Sequence, residues 1–204
     1  MSSAVAAPPV PVVSQTPALS FHRFTVEQYH AMIDAGILKD GERCELLEGW
    51  IIDKMTINPP HATCIALAQT YLLSKLPSDW TLRIQLPITL ATGEPEPDLL
   101  IARGPVRRYG QSHPTPKEIG LLIEVADSSL DIDREFKSLV YARAEIQIYW
   151  IINLIDSRVE VFTDPIGGKS PAYRKHRNYS ATQAVPFVLD GKEIARIPVR
   201  ELLP

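Results

Sequence analysis

The chain has 204 residues, 45% hydrophobic and 22% charged, which is the composition of a globular protein with room for one well-packed domain. Its formal net charge of -3 argues against a protein that binds nucleic acid mainly through bulk positive charge, although a local basic patch can still do so. No apolar run approaches the roughly 20 residues of a membrane-spanning helix, and the two cysteines form no disulfide framework. Because the N-terminus also lacks the basic start of a secretory signal, we expect a cytoplasmic protein.

The first 20 residues are rich in Ala, Pro, Ser and Val, which predicts a flexible arm ahead of a single domain over residues 21–204. The domain begins with a helix whose N-cap is Thr25, since Gln28 stands three residues later as in a capping box. Gly36 is the predicted C-terminal cap of this helix.

A hairpin with its turn at Glu48-Gly49 is predicted next, followed by a helix over residues 61–76. Alternation of apolar and polar residues predicts a strand over residues 80–90, with one apolar face made by Leu82, Ile84, Leu86 and Ile88.

The second half of the chain alternates between strands and one helix. Residues 98–102 form a predicted strand, and residues 120–126 are so apolar that we expect a strand buried on both faces. The helix covers residues 131–144, with Phe136, Leu139 and Val140 facing a core. Further strands are predicted at residues 148–152, 158–162, 172–179 and 187–189. The pattern indicates an α/β fold in which helices flank a mixed central sheet.

Two carboxylates in these strands call for an explanation. Glu124 interrupts the apolar strand 120–126, and an ionised carboxylate in a core must be paired, hydrogen-bonded or bound to a metal. Asp98 opens the neighbouring predicted strand. Two acids that meet at one end of a sheet suit Mg²⁺, which prefers carboxylates together with waters and phosphate oxygens. For each acid alone the alternatives are a turn residue at Asp98 and a buried pair with an arginine at Glu124.

Lys137 is the candidate cation beside these acids. It stands four residues after Asp133, so the two side chains share one helix face. Taken alone, this pair predicts a solvated ion pair on the helix surface. Taken with Asp98 and Glu124, it predicts an ammonium that stabilises a phosphorane-like transition state or helps to position and deprotonate the attacking water.

The order of Asp98, Glu124 and Lys137 resembles the Uma-type restriction-endonuclease branch of the PD-(D/E)XK nuclease superfamily. The resemblance covers most of the chain from Thr25 to Phe162 and includes the segments at residues 43–51, 58–61, 85–88, 96–99, 123–129, 133–137 and 141–150. It implies a restriction-endonuclease-like core, hydrolysis of phosphodiester bonds in DNA, and a Mg²⁺ or Mn²⁺ ion held by Asp98 and Glu124. It also implies a further acid in the catalytic site, Glu45.

The chain departs from the resembling family at two positions. Ala126 stands two residues after Glu124, where the superfamily name promises lysine, so the lysine must come from Lys137 on the helix. Glu145 stands where the family usually has glycine after the helix.

Four residues are candidates to contact DNA: Arg107, Arg108, Gln85 and His61. For the arginines the alternative is a solvated loop, and for His61 it is a helix cap. The competing function is a catalytically silent DNA-binding or assembly module with the same fold. A different hydrolase lacks support, because the chain has no Gly-x-Ser-x-Gly motif. A homodimer is expected, since cutting both strands of a duplex needs two active sites.

Overall fold

The computed structural model describes residues 20–39 and 42–204, so the predicted arm lies outside the described residues except for Ser20. Within these residues, three α-helices are formed by Val26–Asp34 (α1), Pro59–Lys75 (α2) and Ser138–Arg143 (α3). The described part of the chain also contains ten strands: Cys44–Leu47 (β1), Trp50–Asp53 (β2), Trp80–Ile84 (β3), Leu99–Arg103 (β4), Ile119–Ala126 (β5), Ile148–Asn153 (β6), Arg158–Ile166 (β7), Ala172–Ser180 (β8), Ala184–Leu189 (β9) and Lys192–Pro198 (β10).

The central sheet has six strands in the order β3-β4-β5-β6-β7-β8. The pair β5–β6 is parallel and the other neighbours are antiparallel, so the sheet is mixed as predicted. The crossover between the two parallel strands carries the helical region from Ile132 to Arg143, which is the usual way of connecting parallel neighbours. Two separate hairpins are formed by β1–β2 and β9–β10.

Each face of the sheet has its own apolar core. On one face, α2 and the β9–β10 hairpin pack against the sheet through residues such as Leu72, Trp150 and Phe187. On the other face, α3 packs through Val140 and Tyr141. The strand β5 is buried along its whole length because it lies between these two layers. Within the described residues, no helix combines the length and apolarity that a membrane crossing requires.

Several local predictions are confirmed. Thr25 and Gln28 form the capping box of α1, and Gly36 follows the helix with a φ of 68°. The turn of the first hairpin lies at Glu48 and Gly49, both with positive φ, which suits the twist of a two-residue hairpin loop.

The predicted strand over residues 80–90 is too long. β3 ends at Ile84, because Gln85 adopts a φ of 48°, a left-handed conformation that an extended strand does not contain. Leu86 is consequently 44% exposed and does not continue the apolar face.

The helix predicted over residues 131–144 is not one regular α-helix. Ile132–Lys137 form a π-helical segment, and α3 follows directly. The wider turn changes the phase between the two parts. Leu139 is therefore 42% exposed, whereas Val140 is buried as predicted. The strand β10, which pairs with β9, was missing from the sequence prediction.

Candidate active site

Six carboxylates line one cavity at the end of β5, which we call the acid cavity; Asp53 and Glu96 are the more exposed two. Of the other four, Glu45 comes from β1, Asp98 immediately precedes β4, Glu124 lies in β5, and Asp133 belongs to the π-helical segment; Lys137 also lines the cavity. Because β4 runs antiparallel to β5, the start of one strand lies beside the end of the other. The topology thus brings Asp98 next to Glu124.

Asp98 is held by three different donors. Its Oδ2 accepts the backbone N–H of Val125 at 2.9 Å and lies 3.1 Å from Nε2 of His61, and its Oδ1 accepts from Nε2 of Gln85 at 3.3 Å. Burial alone raises the pKa of Asp98, but the hydrogen bond and charge of His61, with the Val125 amide, outweigh it and lower the pKa below its ordinary value. Asp98 is therefore an ionised carboxylate with a fixed orientation.

Glu124 is almost fully buried and accepts hydrogen bonds from three neighbours. Its Oε1 accepts from the Tyr141 hydroxyl at 2.7 Å and from Nζ of Lys137 at 3.0 Å, and its Oε2 accepts the backbone N–H of Asp98 at 3.2 Å. Burial raises the pKa of Glu124 to about 8, against the opposing effect of Lys137. Burial thus makes Glu124 easier to protonate than an ordinary glutamate, and the nearby ammonium of Lys137 opposes this.

Lys137 places its ammonium among three of the acids. Nζ lies 3.3 Å from Oε1 of Glu45, 3.0 Å from Oε1 of Glu124 and 3.9 Å from Oδ1 of Asp133, and the side chain is only 12% exposed. Burial lowers the pKa of Lys137, but attraction by the three carboxylates outweighs burial and raises the pKa well above its ordinary value. Lys137 is thus a permanent positive charge in the cavity.

Glu45 is tied both to the lysine and to the loop that carries Asp98. Its Oε2 accepts the backbone N–H of Glu96 at 2.9 Å, so β1 and the segment before β4 are joined at the site. A close approach of Gly93 to Leu46 supports this junction, since a Cβ on Gly93 would lie 2.4 Å from the Leu46 carbonyl oxygen. Only glycine fits there without a shift of the backbone.

Asp133 is a site residue that the sequence interpretation placed on the surface. It is 2% exposed, and its Oδ2 accepts from the Ser129 hydroxyl at 2.7 Å. The solvated Asp133–Lys137 pair is therefore wrong as a description, because the π-helical segment packs against the cavity rather than facing solvent. The spacing of the two residues was visible in the sequence, but their burial was not. Tyr141, four residues after Lys137, is the second group that was not assigned to the site.

The four candidate DNA contacts separate into two groups. His61 and Gln85 line the cavity, where both contact Asp98. Nδ1 of His61 is buried and has no hydrogen-bond partner among the described residues. Arg107 and Arg108 lie on the short helical turn Val106–Tyr109, beyond the opposite end of β4 from Asp98, and Arg108 pairs with Glu118. The structure does not bring these arginines to the acid cavity.

The donor set fits a hard divalent cation. Carboxylate oxygens are the ligands that Mg²⁺ prefers, and it typically uses one or two of them while keeping several waters. The cavity has a volume of about 70 Å³, which is room for several waters. No group of three or more His, Cys, Asp or Glu side chains within residues 20–39 and 42–204 is arranged to hold a metal ion. The cavity thus offers carboxylate oxygens, the ligand type that Mg²⁺ prefers, but no arranged cluster of three or more ligands among the described residues.

Comparison with solved structures finds a protein that shares this mixed α/β fold. The chain is similar to a protein from Anabaena variabilis ATCC 29413 described as "a putative nuclease belonging to DUF820", with a TM-score of 0.63 and 14% sequence identity. The match covers 88% of this chain and 97% of that chain, which shows a shared fold.

The sequence comparison defines the family. The family model Uma2, described as "Putative restriction endonuclease", matches residues 26–193, and the chain belongs to this family. Membership supports a nuclease and confirms the resemblance drawn from the sequence. Among curated proteins, no significant match is found.

Proposed function

We propose that the chain is a metal-dependent endonuclease that hydrolyses phosphodiester bonds in DNA, with Mg²⁺ or Mn²⁺ held by Asp98 and Glu124 and with Lys137 assisting. The observation that carries this proposal is the excess of acids over cations in the cavity. The cavity is lined by six acids, against three permanent cations and one imidazole: the acids are Glu45, Asp53, Glu96, Asp98, Glu124 and Asp133, and the other four are Arg43, Lys54, Lys137 and His61. Because buried carboxylates need compensation, this arrangement favours one further cation.

A divalent cation bound there would stabilise negative charge on a phosphoryl group and lower the pKa of a water molecule. Asp98 is suited to hold such an ion because His61, Gln85 and the Val125 amide fix its orientation. Glu124 is suited to become a ligand once it loses its proton. Its hydrogen bonds from Tyr141 and Asp98 N–H then keep the carboxylate in place.

Lys137 acts in this proposal through its charge. Its raised pKa makes it a poor base at neutral pH, which favours electrostatic stabilisation of the pentacoordinate phosphorus over proton abstraction from water. Glu45 and Asp133 lie 3.3 Å and 3.9 Å from the ammonium and keep it oriented. We place Glu45 in the catalytic site on this basis.

DNA is proposed to contact His61 and Gln85, which line the cavity. Arg107 and Arg108 lie beyond the far end of β4, a strand of 5 residues. At about 3.4 Å per residue, this is on the order of 15–20 Å from Asp98. We therefore assign them to contacts with the DNA backbone away from the scissile phosphate, which position a duplex without touching the reaction.

Cleavage by the purified full chain tests the proposal. Supercoiled, linear and single-stranded DNA, together with RNA, are incubated with Mg²⁺ or Mn²⁺ or with EDTA. We expect cleavage of DNA that requires the divalent ion and is lost in Asp98→Asn and Glu124→Gln. Absence of cleavage across these substrates would count against the proposal.

A catalytically silent binding module is the second candidate, and the position of Lys137 favours it. The ammonium already pairs with Glu45 and Glu124, which are acids that a metal site would otherwise use. Titration calorimetry separates the two functions. Binding of Mg²⁺ that disappears in Asp98→Asn supports catalysis, whereas DNA binding without any metal binding supports the module.

Pairing of two chains is also proposed, because cutting both strands of a duplex needs two sites. Light scattering of the full chain and of a variant without residues 1–20 tests whether a dimer forms and whether the N-terminal arm is needed for it.

A further inference from the structure

A second carboxylate is buried on the sheet outside the acid cavity. Glu160 in β7 has an exposure of 0%. It shares a row with Glu124, since Glu124 pairs with Ile151 of β6 and Ile151 pairs with Glu160. Paired residues project from the same face of a sheet. Two strand spacings separate the two acids, or roughly 10 Å.

The π-helical segment spans this row and contacts both acids. Arg134 donates from Nε to Oε2 of Glu160 at 3.0 Å and from a second nitrogen to Oε1, so the pair is bidentate. Lys137, three residues later, donates to Glu124. Asp133 directly precedes Arg134. Asp133 and Lys137, which line the cavity, therefore lie on either side of Arg134, and Arg134 is anchored to Glu160 on β7.

Glu160 is itself held firmly. Its Oε1 accepts from Nδ2 of Asn153 at 2.8 Å and from Nε of Arg158 at 3.0 Å, and both donors come from the sheet. Burial raises the pKa of Glu160, but the hydrogen bonds from Arg134, Asn153 and Arg158 outweigh it and lower the pKa to about 2. Glu160 is therefore charged at neutral pH, and Asn153 and Arg158 fix it to the sheet independently of the helical segment.

Stability alone does not account for this pair. A buried ion pair contributes little net stability compared with apolar residues of similar size, because desolvation offsets the attraction. The pair instead fixes geometry, because a bidentate arginine sets both the position and the rotation of the backbone that carries it.

We propose that Arg134 and Glu160 are positioning residues, which fix the π-helical segment across the sheet so that Lys137 and Asp133 stand in the acid cavity. The effect on catalysis rests on the proposed nuclease function, whereas the placement of Lys137 does not. Loss of the anchor lets the segment shift, and Lys137 then leaves its position between Glu45 and Glu124.

The test follows the Lys137 side chain by NMR in the full chain labelled with ¹³C at the lysine ε-carbon. Lys137→Arg assigns the resonance by its disappearance. In the double variant Arg134→Met, Glu160→Leu, which leaves no orphaned charge, we expect the Lys137 resonance to move toward those of exposed lysines. Arg158→Met is the matched control, because it removes a partner of Glu160 without releasing the helical segment, and its Lys137 resonance should stay in place.

An unmoved Lys137 resonance in the folded double variant would overturn the proposal, as would equal movement in Arg158→Met. Should the double variant not fold, Arg134→Lys provides the reading, since it keeps the charge but loses the bidentate geometry. It should shift the resonance in the same direction, and a wild-type position there overturns the proposal too.

Kinetics adds a second readout. If the chain cleaves DNA, the double variant should lose kcat by roughly tenfold to a hundredfold, as expected for a misplaced catalytic group, with KM nearly unchanged. If the wild-type protein does not cleave DNA but the Lys137 resonance moves as expected in the double variant, the nuclease function is contradicted and the positioning role is supported.

Discussion

Replacing Lys137 with methionine removes the permanent cation of the cavity while nearly preserving the length of the side chain. The ammonium is 3.0 Å from Glu124 and 3.3 Å from Glu45, and its side chain is 12% exposed, so water cannot replace it fully. Removing one partner of a buried pair typically costs 3–5 kcal/mol. Because Glu124 can take up a proton in compensation, we expect the lower end, about 3 kcal/mol at pH 7.

Urea unfolding in EDTA measures this loss, with the free energy extrapolated to water. Lys54→Met is the matched control, because Lys54 lines the same cavity and pairs with Glu96 at 2.7 Å, but Glu96 is 30% exposed. An ion pair that keeps solvent access contributes about 1 kcal/mol or less. The loss in Lys137→Met should shrink at pH 5, since Asp133, with a pKa raised to about 6, is then protonated in addition to Glu124 and carries no unpaired charge.

Addition of Mg²⁺ extends the experiment. In Lys137→Met the acids lack their internal cation, and we expect Mg²⁺ to recover part of the lost stability. A loss no larger than that of Lys54→Met would refute the reasoning, because it would mean that the acid cavity does not depend on the ammonium.

Three further predictions concern protons and backbone conformation. The affinity for Mg²⁺ should rise between pH 6 and pH 9 in calorimetry, because Glu124, with a pKa raised to about 8, must lose its proton to become a ligand; a flat profile contradicts this assignment. Glu160, whose folded pKa is lowered to about 2, stabilises the fold above the unfolded value of 4.5 and loses this contribution as the pH falls toward 2. Denaturation curves of Glu160→Gln should therefore depend less on pH than wild type in that window, and an equal slope would be against it. Glu145 has a φ of 59°, so Glu145→Gly should raise the free energy of unfolding by about 1 kcal/mol in thermal unfolding. Glu145→Ala should show no such gain.

The sheet was largely predictable from the sequence because apolar runs report burial directly. The all-apolar strand at residues 120–126 and the hairpin turn at Glu48-Gly49 both follow from local composition. The early end of β3 could not be predicted, because Gln85 ends the strand with a left-handed backbone conformation that is unusual for glutamine.

The site was predictable where a residue conflicts with its surroundings. Glu124 conflicts with an apolar strand, and this conflict pointed to the cavity. Glu160 shows the same conflict, since it stands between Val159 and Val161 in a strand, and its burial was predictable on this ground.

Asp133 could not be found in this way, because the segment around it is mixed in polarity and helical periodicity predicts a surface pair. Its burial depends on the π-helical turn and on the hairpin that brings Glu45 to the same cavity. Such a turn has no signature in a single sequence. The partner of Arg134 was equally hidden, since it lies 26 residues away on a different strand.

Anomalous diffraction from a crystal of the full chain soaked in Mn²⁺ tests the central claim most directly. The account predicts one peak in the acid cavity, within coordination distance of carboxylate oxygens of both Asp98 and Glu124, and no peak there in Asp98→Asn. Diffraction that shows no such peak, with Lys137 still between Glu45 and Glu124, would contradict it.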